Sequence, residues 1–297
     1  MTGAGGLLGS ELVRLGSDTG HRRAGGSPAK TEILGLPRAL LDVTDGVEVG
    51  NVIGELEPDW VVHCAAYTAV DRAEEEPDQA MSVNHGGTVN VASAAARHGA
   101  RLLYVSTDYV FDGQKREPYL PSDEVRPLSV YAQTKLAGEE AALASGGVAI
   151  RTGWLYGRGG GNFVDAILRR AEGGASLRVV DDQRGRPTWA RNVAVGIFDL
   201  LVRGLFEQGL TPVVHLADGG DATWLEFARE AVRLRGLDVP VEGVSTAEWG
   251  AAAPRPAYSI LDLSAVEGAL GRPMMHWKDA LSQYLVERDE ASRSGDP

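Results

Sequence analysis

Along this chain, short apolar runs alternate with stretches whose apolar residues recur at helical spacing. Strand-like runs fall at 32–36, 60–65, 102–106, 148–151, 177–180 and 213–216. Helical patterns fall at 47–56, 79–98, 130–144, 163–172, 193–206 and 225–235. Strand and helix in alternation predict βαβ units, with a parallel sheet covered by helices on both faces. The expected fold class is therefore α/β, a doubly wound sheet of Rossmann type, in which ligands bind beyond the carboxyl ends of the strands. From about Asp218 the pattern is less regular and holds Trp224, Trp249, Trp277 and Pro254-Arg255-Pro256. That stretch, with parts of 162–188, reads as a smaller C-terminal lobe. No linker marks off two independent domains: 1–155 is expected to be mainly the nucleotide-binding unit. Residues 156–297 are expected to be mixed, completing the sheet and forming the substrate lobe.

Composition narrows the partners. At 297 residues and 43% hydrophobic, the chain has enough apolar material for a globular core. No apolar run approaches the ~20 residues that cross a bilayer. The formal net charge of −12 argues against nucleic acid and acidic membrane surfaces, while leaving room for a small anionic substrate held by a few local cations. The single cysteine, Cys64, has no intramolecular disulfide partner and suits a reducing cytoplasm. Beyond a glycine-rich patch, Gly157 to Gly161, no low-complexity segment or repeat is present.

Candidate chemistry begins with Gly3-Ala4-Gly5-Gly6-Leu7-Leu8-Gly9, glycines at three-residue spacing before a helical pattern. Gly3, Gly6 and Gly9 would let the backbone approach a pyrophosphate, with Leu7 and Leu8 opening the helix whose N–H groups face the anion. A glycine turn that merely packs tightly is the alternative. Such a loop follows a buried strand, yet only Met1 and Thr2 precede Gly3. The expectation is a truncated first strand, with residues 1–297 lacking its upstream part. After the run 32–36 comes Pro37-Arg38, where an NAD-binding fold carries an acid for the ribose 2′-hydroxyl. Arg38 is placed to face a 2′-phosphate, favouring NADPH with NADH as the alternative. Asp42 and Val43 follow, where the adenine should lie.

Tyr131-Ala132-Gln133-Thr134-Lys135 places a phenol and an ammonium at i and i+4, on one helical face. A nearby ammonium favours the phenolate, which would make Tyr131 a usable proton donor to a carbonyl. Alone, the spacing is as readily a solvated helix face. Upstream, the run 102–106 ends in Thr107, a hydroxyl at a central strand end that can bond the same carbonyl oxygen. Ser106 is the alternative hydroxyl, with strand-end packing as its simpler role.

These residues, in order, resemble the dTDP-4-dehydrorhamnose reductase family of extended short-chain dehydrogenase/reductases. The resemblance runs from Gly3 to about Asp262. It takes in the glycine loop, Leu41 to Asp45, His63 to Asp71, Val83-Asn84, Ser106 to Gly113, Tyr131 to Lys135 with Gly138-Glu139, Arg151 to Gly157, Asn162-Phe163, Asp182 to Thr188 and Arg255-Pro256. The resemblance implies reduction of a dTDP-4-keto-6-deoxy sugar, dTDP-4-dehydro-L-rhamnose foremost. Gly3, Gly6, Gly9, Asp42, Val43, Ala65, Ala66, Tyr67 and Lys135 would hold NADPH, and Thr107, Tyr131 and Lys135 would be the catalytic set. Tyr67, Val70, Asp71, Tyr109 and Trp154 would line the sugar site. Gln183, Gly185, Pro187, Thr188 and Arg255 would lie near the nucleotide and diphosphate. Val70 and Trp154 also read as core, and Pro187 as a turn former.

Departures from the family pattern bear on three points. Some members are dimers bridged by a metal held by glutamates. Glu11 fits one such position, but Arg191 stands where a second carboxylate is expected, so no metal is predicted and the chain is read as a monomer or homodimer. The family's Arg-Pro-x-Asn-Ser is Arg255-Pro256-Ala257-Tyr258-Ser259 here, which opens the identity of the sugar to sister reactions such as dihydrostreptose synthesis. Nucleotide-sugar dehydratases carry Asp-Glu after the strand-end Thr for acid/base work. Here Asp108 is followed by Tyr109, which argues against dehydration. The non-enzymatic alternative is a nicotinamide-binding regulatory subunit, against which the intact Thr107, Tyr131 and Lys135 argue.

Overall fold

The computed structural model describes residues 1–17, 32–159 and 161–294; Gly160 of the glycine-rich patch lies outside them. In chain order, α1 (Leu7–Ser17) is followed by α2 (Gly46–Leu56), β1 (Trp60–His63), α3 (Val70–Glu75), α4 (Pro77–Met81), a π-helical turn (Ser82–Gly86) and α5 (Gly87–Arg97). Next, β2 (Arg101–Thr107) leads through a 3-10 turn (Asp108–Val110) to α6 (Val130–Ala144), β3 (Val148–Thr152), β4 (Leu155–Tyr156) and α7 (Phe163–Glu172). Then come β5 (Leu177–Val180), β6 (Arg184–Gly185), β7 (Thr188–Trp189), α8 (Ala190–Val202), β8 (Val213–His215), β9 (Ala222–Thr223) and α9 (Trp224–Leu234). The last elements are β10 (Val241–Val244), α10 (Thr246–Trp249), α11 (Ser264–Leu270) and α12 (Trp277–Ser294).

The central sheet is parallel, in the order β1-β2-β3-β8. β2 shows why these runs become inner strands. Leu102, Leu103 and Tyr104 are all buried, because a parallel strand covered on both faces reads as a continuous rather than alternating apolar run. One face packs on α2 and α5 through Val49, Ile53, Val91 and Ala95. The other packs on α1 and α8 through Leu8, Leu12, Val193, Ile197 and Leu200. Each such side chain, fully buried, stabilises the fold by roughly 1.5–3 kcal/mol. The doubly wound expectation is thus met.

Three local differences from the sequence reading have physical causes. The run 32–36 forms no strand. Only Leu36 bridges, to Thr2, which also bridges His63. Thr2 N–H donates to Val62 O (3.1 Å) and Thr2 O accepts from Cys64 N–H (3.3 Å), so the residue before the glycine loop is tied into the sheet. Residues 177–180 do form a strand, but β5 pairs with β10 outside the central sheet, over its own core of Ile167, Leu177, Val179 and Leu225. The helix expected at 79–98 is broken into α4, the π-helical turn and α5. Such turns widen a helix to redirect a side chain and are frequent at functional sites. The side chain concerned is Asn84.

Candidate functional site

A cavity of about 930 Å³ opens beyond the carboxyl ends of β1, β2 and β3. Its cofactor-side wall is largely backbone. Gly3 adopts φ +71°, and a Cβ there would lie 2.5 Å from Ala65 N. A Cβ on Gly9 would lie 2.1 Å from Gly3 O, so only glycine lets α1 pack this closely on the loop. Gly6 differs: its nearest neighbour to a Cβ is 3.5 Å away and it lines the cavity. The first residues of α1, Leu7 to Gly9, line this space, at the helix end whose N–H groups have no intrahelical partners. Leu7, Leu8, Arg38, Asp42, Val43, Ala65, Ala66 and Tyr67 complete the wall. Arg38 sits at the rim, its side chain 77% exposed and 3.6 Å from Asp42. The Thr44 backbone N–H and hydroxyl, bonded to Asp42, hold that carboxyl below its usual range.

Thr107, Tyr131 and Lys135 meet at the floor. β2 ends at Thr107 and α6 begins one residue before Tyr131. The Ser129 hydroxyl caps α6 by accepting from Ala132 N–H (3.2 Å), and Glu74 accepts from Val130 N–H (2.9 Å). Lower down, Glu139 of α6 forms a buried ion pair with Arg151 of β3 at 2.6 Å, which fixes the helix against the sheet. Burial pushes the Tyr131 phenol up to about 12, against a smaller downward pull from the Thr107 hydroxyl. The sequence suggested an ammonium-lowered phenol. Here burial dominates, and the Lys135 ammonium is turned to Val105 O (2.6 Å) over the Tyr104 ring. Burial also brings Lys135 down to about 7.

The substrate-side wall is made of side chains. Tyr67, Val70, Tyr109 and Trp154 line it. Val70 and Trp154 therefore face the cavity, though Trp154 is also mostly buried. Trp154 has φ +52° and stacks on Trp224 with ring centroids 3.6 Å apart. Phe163 lies against Trp224 at 4.6 Å.

Six residues expected near the substrate do not line the cavity: Asp71, Gln183, Gly185, Pro187, Thr188 and Arg255. Several support residues that do. Gln183 accepts from Trp224 Nε1–H (3.2 Å), and Gly185 leaves room for the Trp154 indole. Thr188 is fully buried, and its N–H donates to Trp154 O. Arg255 donates to Asp71 in bidentate fashion (2.9 and 2.7 Å) and holds that carboxyl below its usual range.

Among the residues that the sequence does not mark as site residues, Asn84 and Trp224 shape the walls most directly. Buried Asn84 accepts from Tyr67 N–H (2.8 Å) and donates to Thr134 Oγ1 (3.0 Å), tying the cavity wall to the helix of Tyr131. Its signal was an asparagine inside an apolar helical pattern, where it is a poor helix former. Trp224 had the Thr223–Glu226 capping box beside it, marking a helix start, but nothing local told that its ring faces Trp154.

The sequence profile described as RmlD substrate binding domain matches residues 1–289. The chain belongs to that family. A dTDP-4-dehydrorhamnose reductase of Streptomyces griseus is 40% identical over 288 residues, covering 95% of this chain and 91% of the relative. A dTDP-4-keto-6-deoxy-D-glucose reductase of Streptomyces niveus is 36% identical, with 98% of each chain covered. A crystal structure of dTDP-4-dehydrorhamnose reductase from Bacillus anthracis in complex with NADP superposes with a TM-score of 0.84 at 35% identity, covering 96% of this chain and 97% of that one.

Tyr258 is the departure from the family's Arg-Pro-x-Asn-Ser pattern that the sequence places on the substrate side. It lies outside the cavity lining, in a bridge to Arg184 and with its ring 6.3 Å from Tyr119. Glu11 pairs with Arg14 (2.6 Å), and Arg191 pairs with Glu287. The guanidinium thus stands among the carboxylates at this place, and a cation site there does not fit these residues.

Proposed function

We propose that this chain reduces the keto group of a dTDP-4-keto-6-deoxy sugar with NADPH, dTDP-4-dehydro-L-rhamnose to dTDP-L-rhamnose foremost, in the cytoplasm and as a monomer or homodimer. The observation that carries the reading is the meeting of Thr107, Tyr131 and Lys135 at the floor of the cavity walled by the glycine loop. The loop suits a dinucleotide, since Gly3 and Gly9 are locked by close backbone contact while Gly6 faces open space. When bound there, NADPH supplies the hydride. Tyr131, held fully protonated by burial, gives the proton to the carbonyl oxygen, and the Thr107 hydroxyl bonds the same oxygen. Lys135, one helical turn on, supplies the positive charge for the phenolate left behind. Hydride and proton together make the alcohol. Tyr67, Val70, Tyr109 and Trp154 hold the sugar, and the dTDP group extends toward the C-terminal lobe.

Another dTDP-4-keto sugar is the second reading, favoured by the Streptomyces niveus relative at 36% identity. The test is NADPH consumption with a panel of dTDP-4-keto-hexoses, followed by NMR of the product at C4. Turnover with the dehydrorhamnose substrate and rhamnose stereochemistry are expected. Tight NADPH binding without turnover on any keto sugar would replace this reading by the non-enzymatic one.

A further inference from the structure

Asp108 is a buried carboxyl that the proposed chemistry does not use. It is 2% exposed and lies one residue beyond Thr107. Its Oδ2 accepts from Ser259 Oγ at 2.5 Å, and its Oδ1 accepts from Thr107 Oγ1 at 3.3 Å. Gly153 closes it in, since a Cβ there would lie 2.2 Å from Asp108 Oδ1. Ser259, also 2% exposed, is fixed in turn: its N–H donates to Arg184 O of β6 (2.9 Å). Among the described residues no ion pair reaches Asp108, so its side-chain partners are two hydroxyls. Burial accordingly pushes the carboxyl up to about 7, and it holds its proton readily near neutrality.

We propose that Asp108 is a positioning residue, a brace between Ser259 of the C-terminal lobe and Thr107 that holds the Thr107 Oγ1 atom in place, its single proton resting on Asp108 until the reacting carbonyl takes it over. Thr107 Oγ1 accepts from Tyr109 N–H (3.2 Å) and donates to Asp108 Oδ1 (3.3 Å), so the oxygen is held from both sides. A freely rotating hydroxyl at that point would lose the preorganisation on which transition-state hydrogen bonding depends. Ser259 makes the brace answer to the lobe that carries the substrate wall. The carboxyl at the place where a dehydratase carries its acid/base carboxylate lies at the cavity lining here, bonded to Ser259 and Thr107.

This inference rests on the proposed role of Thr107, and a double-mutant cycle keeps the two apart. Thr107→Val, Asp108→Ala, Asp108→Asn and Ser259→Ala are made singly, and the last three also in the Thr107→Val background, with kcat, KM and NADPH affinity measured for each. Thr107→Val should lower kcat by about 10²-fold. Asp108→Ala and Ser259→Ala should lower kcat by about tenfold with NADPH affinity unchanged, and by less than about twofold once Thr107 is valine. Asp108→Asn should keep kcat within about threefold, because an amide can accept from Thr107 and donate to Ser259. Should Asp108→Ala fail to fold, the Ser259→Ala cycle decides. If Thr107→Val turns over normally, the Thr107 reading falls. If Thr107→Val is slow but the cycles are additive, or Asp108→Asn is as slow as Asp108→Ala, the brace is wrong.

Discussion

The two walls of the cavity are built from different material. The cofactor wall is backbone, drawn from a seven-residue loop and the end of the adjacent strand, and its shape is set by what glycine omits at Gly3 and Gly9. The substrate wall is side chain, and it is held together across the chain: Trp154 stacks on Trp224 within it, while behind it Asp71 pairs with Arg255 at 184 residues' separation and Asp108 bonds Ser259 at 151. At Gly3 and Gly9 a backbone wall tolerates little change, since a Cβ there meets a main-chain atom that cannot move. A side-chain wall can be altered one plate at a time, which suits a family whose members act on different keto sugars.

The comparison can be broken most forcefully at Gly3. Gly3→Ala places a Cβ against Ala65 in a left-handed conformation, at a cost of about 2–5 kcal/mol. Thermal unfolding and NADPH titration should both show a large loss, and an unchanged Tm would mean that the loop has room the geometry denies. Between the walls, Tyr131→Phe should lower kcat by about 10²-fold or more while NADPH affinity stays the same. A matching loss of cofactor affinity would place Tyr131 on the cofactor wall rather than at the chemistry.

A third measurement concerns charge. Asp108 is raised from 3.8 to about 7 on folding, so the native state binds the extra proton between those values. Its stability contribution is therefore lost as pH rises from about 4 to 7 and stays lost above 7. The groups facing it, Tyr109 and Tyr131, are phenols raised by burial and remain neutral throughout. Asp108→Asn should accordingly gain on the native chain by about 2 kcal/mol between pH 4 and 7, with about 4 as the ceiling, and no further above pH 7. Lys135, lowered to about 7, shifts both proteins alike and cancels. A stability difference flat across that range would show that Asp108 stays ionised.

On the substrate wall, Trp224→Ala should raise KM for the sugar nucleotide by about tenfold through loss of the plate behind Trp154. NADPH affinity should be unmoved, and the exciton signal of the stacked indoles in circular dichroism should vanish. Persistence of that signal would show that the pair does not stack in solution. The smallest effect is expected at the exposed rim of the cofactor wall. Pro37→Asp should shift preference toward NADH by about fivefold, since a carboxylate repels a 2′-phosphate and accepts from a 2′-hydroxyl. A native preference for NADH would reverse the role given to Arg38.

By itself the sequence determined the doubly wound class, the helix limits at Val130–Ala144 and Phe163–Glu172, the glycine loop, and the spacing that puts Tyr131 and Lys135 on one helix. All of these rest on local rules: periodicity of burial, capping, and fixed spacing on one helix. Only the tertiary structure decided that Trp224 backs Trp154, that Gln183, Gly185 and Thr188 support the wall instead of lining it, and that Tyr258 lies outside the lining. It also decided that burial, not Lys135, sets the Tyr131 phenol, and that Asp108 meets Ser259. The physical reason is one of range. Backbone conformation follows from neighbours a few residues away, whereas desolvation and side-chain contact depend on which distant segments the finished fold brings together.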